Sequence, residues 1–226
     1  MRRTLLVLGL ALAMSAVQAR DESHVGGGQS ISHVNGGINA DAGQRYGDLE
    51  TVNGGISIGR GAVAEDVETV NGGVTLGDDV QISSAETVNG GVHAGQRVKV
   101  EHGAQTVNGG IHFGFNSHLG GDVETVNGGI VLQQTEVGGQ LRTVSGDITV
   151  GARSLVHGGI RIEKSHGFSL SWGKPRVPRV IIGPNAVVQG NLIFEREVLL
   201  FVHASAKIGS VTGATAQPWT DTLPPR

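Results

Sequence analysis

The chain has no cysteine, only 4% aromatic residues and 6 prolines among 226 residues. Without cysteine there is no disulfide framework and no lipoprotein-type anchoring. With so few large rings, a core must be assembled from Val, Ile, Leu and Ala at closely spaced turns. Charge of one sign is lacking too. Lys and Arg number 17 against 20 Asp and Glu, a net −3, which gives no global attraction to nucleic acid or to an anionic membrane. The one long apolar run, Leu5 to Met14, is shorter than the roughly 20 residues a spanning helix needs. Arg2 and Arg3 precede it, and Val17 and Ala19 follow as an A-x-A-like site, so residues 1–19 read as a Sec-type signal peptide cleaved after Ala19. The expectation is a periplasmic or secreted protein with no transmembrane segment after cleavage.

What the chain has in quantity is glycine, 38 residues, and most of it is periodic. The tract Thr-Val-Asn-Gly-Gly-(Ile/Val) begins at Thr51, Thr69, Thr87, Thr106 and Thr125, with a frayed copy on either side. The asparagines Asn35, Asn53, Asn71, Asn89, Asn108 and Asn127, with Ser145 next in the slot, advance by one short period. Such self-similarity marks stacked coils in which each coil buries a face that its neighbour also needs. Stepping by six from Val52 gives Ile58, Ala64, Val70, Leu76, Ile82, Val88, Ala94 and Val100, all aliphatic. Three six-residue sides therefore make a coil of about 18 residues, and Val-Asn-Gly-Gly-Ile reads as inward residue, corner, inward residue. Glycine at that corner is expected to supply a positive φ. The six asparagines are expected to form a structural corner ladder, amide over amide, about 4.8 Å apart. The fold expected is all-β, a single-stranded parallel β-helix of triangular section, with the right hand favoured by the general rule for parallel crossovers.

The period also divides the chain. Residues 20–33 form an N-terminal linker or cap, 34–164 the regular coils, 165–179 an irregular loop, 180–211 further coils, and 212–226 a polar, Pro-rich tail expected to be disordered. The loop gathers Phe168, Trp172, Lys174, Arg176 and Arg179. Rings beside cations can stack on and pair with an anionic glycan or dock a protein, so these five residues are the binding candidates. The bland alternative is a loop whose rings cover one side of the coil.

Frames such as Ile58-Gly59-Arg60-Gly61-Ala62-Val63 and Ile182-Gly183-Pro184-Asn185-Ala186-Val187 resemble the hexapeptide repeat of left-handed β-helix acyltransferases. The longer pattern Ala186-x-Val188-x-Gly190-x-Leu192-x-Phe194 resembles bactofilins, polymer-forming scaffolds with a right-handed triangular β-helix. The tandem tracts are similar to those of secreted adhesin-type β-solenoids. These resemblances imply a fold, and a fold does not carry a function with it.

Two columns invite chemistry. His93 and His112 share an outward slot on successive coils, in position to hold a metal or to act as acid and base; Thr75 and Val131 occupy the slot on either side, so no third ligand follows. Glu50, Glu68 and Glu86 recur before the Thr, and Gln105, Glu124 and Arg142 continue that column. A bound Ca²⁺ would relieve such a ladder, and exposed glutamates spread into water are the alternative. No catalytic set, resident metal or cofactor is read from the sequence. The expectation is an exported, non-enzymatic β-solenoid that is structural, adhesive or self-assembling, with its open coil ends available for self-association. Binding of an envelope glycan or protein is the alternative, and an acyltransferase or polysaccharide lyase comes third.

Overall fold

The computed structural model describes residues 28–164 and 176–221. They contain 27 short strands and no helix, and the strands fall into sheets of ten, seven and ten members. The two larger sheets take one strand from every coil and the third takes one from seven of them, the early coils meeting it only through the bridges Arg45↔Val63 and Val63↔Gln81, so the chain crosses a first, a second and a third face before returning one level up. On the first face Tyr46–Asn53 pairs in parallel with Asp66–Asn71, and that strand with Ser84–Thr87, in the register Glu50↔Glu68↔Glu86. On the second, Ile56–Ile58 lies against Val74–Leu76, which lies against Val92–Ala94. On the third, strands shrink to two residues, Gln81–Ile82, Lys99–Val100 and His118–Leu119. The protein is a parallel β-solenoid of about ten turns.

Small aliphatics suffice for the core because each coil has only a narrow triangle to fill. Ile56, Ile58, Val74 and Leu76 point inward from the second face, and Ala64, Ile82, Val100 and Leu119 from the third. Phe113 is the largest wholly buried side chain.

The first face departs from the expected frame by one residue. Val52, Val70, Val88, Val107, Val126 and Val144 are half-buried on the outside. The threonines before them, Thr51, Thr69, Thr87, Thr106, Thr125 and Thr143, are at most 4% exposed. Alternation along a strand explains the choice: Leu49, Val67, Ala85, Ala104, Val123 and Leu141, two residues earlier, are already inside. A buried hydroxyl needs a partner, and each of these has one. Thr69 Oγ1 donates to the Gly54 carbonyl at 2.8 Å and Thr87 Oγ1 to that of Gly72 at 2.8 Å. Thr51, Thr106, Thr125 and Thr143 do the same to Gly36, Gly90, Gly109 and Gly128.

The same carbonyl explains the first glycine of each tract. A Cβ at Gly72 would run into the Gly54 oxygen, one at Gly90 into the Gly72 oxygen, and one at Gly109 into the Gly90 oxygen. Thr and Gly of one tract therefore close on a single carbonyl of the coil before it. Close approach is what requires these glycines, and the expected positive φ is not found at Gly72 or Gly90. Left-handed backbone instead runs along the corner between the second and third faces. There Gly61 has φ 68°, Asp79 61°, Arg97 55°, Asn116 59°, Gln134 49°, Arg153 59° and Asn185 56°.

The coils extend past the expected bounds at both ends. Strand Gln29–Asn35 already pairs with Tyr46–Asn53, so residues 29–33 belong to the first coil. At the far end Ala216–Trp219 pairs with Leu199–His203, so the stack runs on beyond residue 211. Within the expected loop, Arg179 opens strand Arg179–Ile182 on the second face.

Candidate functional site

The described surface is organised in axial columns, because a residue type repeated once per coil is repeated about every 4.8 Å in space.

At the first corner Asn53 Nδ2 donates to Asn35 Oδ1 at 3.1 Å, Asn71 to Asn53 at 3.0 Å, and Asn89 to Asn71 at 2.9 Å. Asn108 and Asn127 continue at 2.9 Å each. A carboxamide carries donor and acceptor together, so identical residues satisfy one another. All six lie exposed on the rod's edge.

One residue before the buried threonines, the outward column runs Glu50, Glu68, Glu86, Gln105, Glu124, Arg142 and Arg161. Its first part is acidic and is flanked by Asp48 and Asp66, which also stand in register with Ser84. These glutamates are half-buried rather than spread into water. Burial, followed by the Glu86, Glu50, Asp66 and Asp48 charges, pushes Glu68 up to about 7. Burial and then Asp48 and Asp66 raise Glu50, and burial and then Asp66 raise Glu86. Further along, opposite charges meet. Arg142 Nη1 lies 2.8 Å from Glu124 Oε1, and Arg161 Nη1 lies 2.9 Å from Glu195 Oε1. Glu124 is 6% exposed, and burial raises its carboxyl although Arg142 opposes the shift.

His93 and His112 are register partners on the second face, with ring centroids 6.4 Å apart and planes tilted by 41°. Burial and then His93 hold His112 below its ordinary range. Thr75 and Val131 are the neighbours above and below in this column. Among the described residues, no group of three or more His, Cys, Asp or Glu side chains is placed to hold a metal ion.

Of the five loop candidates, Phe168, Trp172 and Lys174 lie outside the described residues. Arg176 Nη2 donates to Asp147 Oδ2 at 2.6 Å, and the Arg179 backbone N–H donates to Asp147 Oδ1 at 2.9 Å. The Arg179 guanidinium sits 5.3 Å from the centre of the Phe201 ring. Asp147, in the slot where the tracts carry their second glycine, thus anchors the chain where it re-enters the stack.

Sequence reasoning missed a cluster on the third face. His157 Nε2 lies 2.8 Å from Glu136 Oε1, His118 Nδ1 3.5 Å from Glu136 Oε2, and His157 Nδ1 3.1 Å from Gln189 Oε1. The Glu136 carboxylate raises His157, and the His157 hydrogen bond in turn lowers Glu136. His118 and Glu136 share one slot, and His157 stands two positions past that slot in the next coil, so the period alone does not bring all three together. A period of 18 or 19 residues counted from His118 reaches Glu136 and then Leu155, two residues short of His157.

Among the described residues no helix is long and apolar enough to cross a membrane. Comparison with known proteins gives no match to any family model, curated protein or solved structure.

Proposed function

We propose that the chain is an exported, non-enzymatic β-solenoid serving as a structural, adhesive or self-assembling element of the cell envelope. One observation carries this reading. The repeated tract is spent on axial continuity: three uninterrupted sheets, a buried Thr-to-carbonyl series and an external amide ladder together make a rod about 48 Å long at 4.8 Å per coil. A rod of this kind presents ribs and ends, which suit assembly and adhesion. The test is to follow the processed chain through cell fractionation, then its sedimentation against concentration, with negative-stain images of the same samples. Export, with species larger than the monomer, is the expected result. A cytoplasmic, strictly monomeric chain would overturn the reading.

Binding of an anionic envelope polysaccharide is the second reading. It is supported by Arg176, whose side chain is 77% exposed although it touches Asp147. Its test is polysaccharide retention by a folded variant carrying Trp172→Ala and Arg176→Ala, which this reading expects to be lost.

A further inference from the structure

The two ends of the stack are finished differently. The last coil consists of Lys207–Ile208, Val211–Thr212 and Ala216–Trp219. Its second-face strand carries Pro218 opposite Val202, and proline has no N–H to offer to another strand. Trp219, 7% exposed, lies edge-on to His203 with ring centroids 4.7 Å apart. A lysine, a proline and a ring folded onto the end are the devices by which proteins keep a sheet edge from pairing.

The first-face and second-face edges of the first coil have none of these devices, and the third-face edge carries Arg45. Gln29–Asn35 is seven residues long and contains no Lys, Arg, Asp, Glu or Pro. It is exposed along nearly its whole length, with Val34 at 52%, and among the described residues it pairs on one side only, with Tyr46–Asn53. Ile38–Ala40, the second-face edge, is also uncharged and among the described residues pairs on one side only. Between the expected cleavage site and Gly28 stand residues 20–27, less than half of a coil's length of about 18 residues, too few to pair with all three edges.

We propose that the N-terminal edge takes the N-terminal edge of a second copy, strand antiparallel to strand across a two-fold axis near Ser32, giving a closed dimer of double length. An isologous contact uses one patch twice and then stops, and the finished C-terminal end agrees with stopping. Centring on Ser32 sets Ile31 against His33 of the second copy, Ser30 against Val34 and Gln29 against Asn35, with no acidic or basic pair of like charge opposed. It also keeps outward residues outward, which a one-residue slip would not. The two-fold brings the second-face edge of one copy to the third-face edge of the other. This inference rests on the self-assembling form of the reading above and replaces an open filament with a pair.

The absence of native cysteine makes the test clean. The processed chain is expected to sediment at twice the monomer mass and no higher, and oxidation is expected to trap a covalent dimer through Ser32→Cys, which faces itself on the axis, and through the double variant Ser30→Cys with Val34→Cys, but not through Ser30→Cys alone. Ser32→Lys is expected to weaken association by about tenfold or more. That variant is expected to keep its folded circular dichroism spectrum, because the new cation stands beside Glu50 in the same column. A monomer at every concentration would overturn both this proposal and the self-assembling reading. An open-ended series of species would overturn this proposal alone, as would a dimer that neither Ser32→Cys nor the Ser30→Cys with Val34→Cys double variant traps.

Discussion

The coils that carry the tract and the coils after Thr143 solve one problem in two ways. From Thr51 to Asn127 the contacts that recur at every coil are amide on amide and threonine on the glycine carbonyl of the coil before, with Asp79 held by Arg60 and Arg97 as a local charged contact beside them. Later the contacts join unlike residues: Arg142 with Glu124, Arg161 with Glu195, Arg176 with Asp147, and Arg179 over Phe201. Repetition is economical where a group is its own complement, as a carboxamide is. A carboxylate is not, and the Glu50, Glu68 and Glu86 column shows what copying a coil costs: burial and like charge raise all three.

The strongest way to break the first arrangement is Gly72→Ala. Its methyl group would meet the backbone oxygen of Gly54, which cannot swing aside, and a loss of about 3 kcal/mol in denaturant unfolding is expected. An unchanged midpoint would remove the argument from close approach. Breaking the second arrangement by Arg142→Ala leaves the buried Glu124 carboxylate without its cation. A loss of roughly 2 kcal/mol is expected, reduced from the fully buried case because Arg142 is a third exposed.

Thr69→Val keeps the shape of the inward residue and removes its hydroxyl from the Gly54 oxygen. The expected cost is about 1 kcal/mol by thermal or denaturant unfolding. If Thr69→Val proved neutral while Val70→Thr was costly, the inward and outward assignments on this face would have to be exchanged.

The smallest effect sharpens the comparison most. Glu68→Gln replaces a carboxylate that repels its copies with an amide able to pair, and a gain of roughly 0.5 kcal/mol is expected near pH 7.5. The sign of the pH dependence follows from Glu68 holding its proton up to about 7 when folded, against an ordinary 4.5. Between those values the folded state binds more protons. The contribution is therefore complete below 4.5 and is lost as pH rises through about 7. Melting temperature should fall from pH 5 to pH 7.5 in the native chain and fall less in the variant. Equal slopes in the two proteins would locate the dependence elsewhere, the His157 and Glu136 pair being the first place to look.

The period, the three faces and the asparagine slot were legible because they depend on spacing alone. The inward residue of the first face was not. Thr and Val are adjacent, only one can point in, and hydrophobicity favours the wrong one. The signal that decides it lies two residues upstream: Leu49, Val67, Ala85, Ala104, Val123 and Leu141 fix the parity of the strand. The left-handed corner was hidden for a related reason. Asp79, Arg97, Asn116, Gln134 and Arg153 share a backbone conformation and no chemistry, so a scan for identical residues passes over them. The Glu136 cluster joins slots two residues apart, so the period pairs His118 with Glu136 and passes over His157.

Because the sheets run from the first coil to the last without a return, residues 28 and 221 stand at opposite ends of the rod. Tension applied between them would open the rim of one coil at a time, never all the hydrogen bonds of a sheet together. Each coil of about 18 residues would pay out roughly 60 Å of chain while its neighbours stayed intact. A rod about 48 Å long would thus lengthen more than tenfold at nearly constant force, in near-equal steps save for the longer coil between Ile160 and its partner Leu192, behaving under load as a reel.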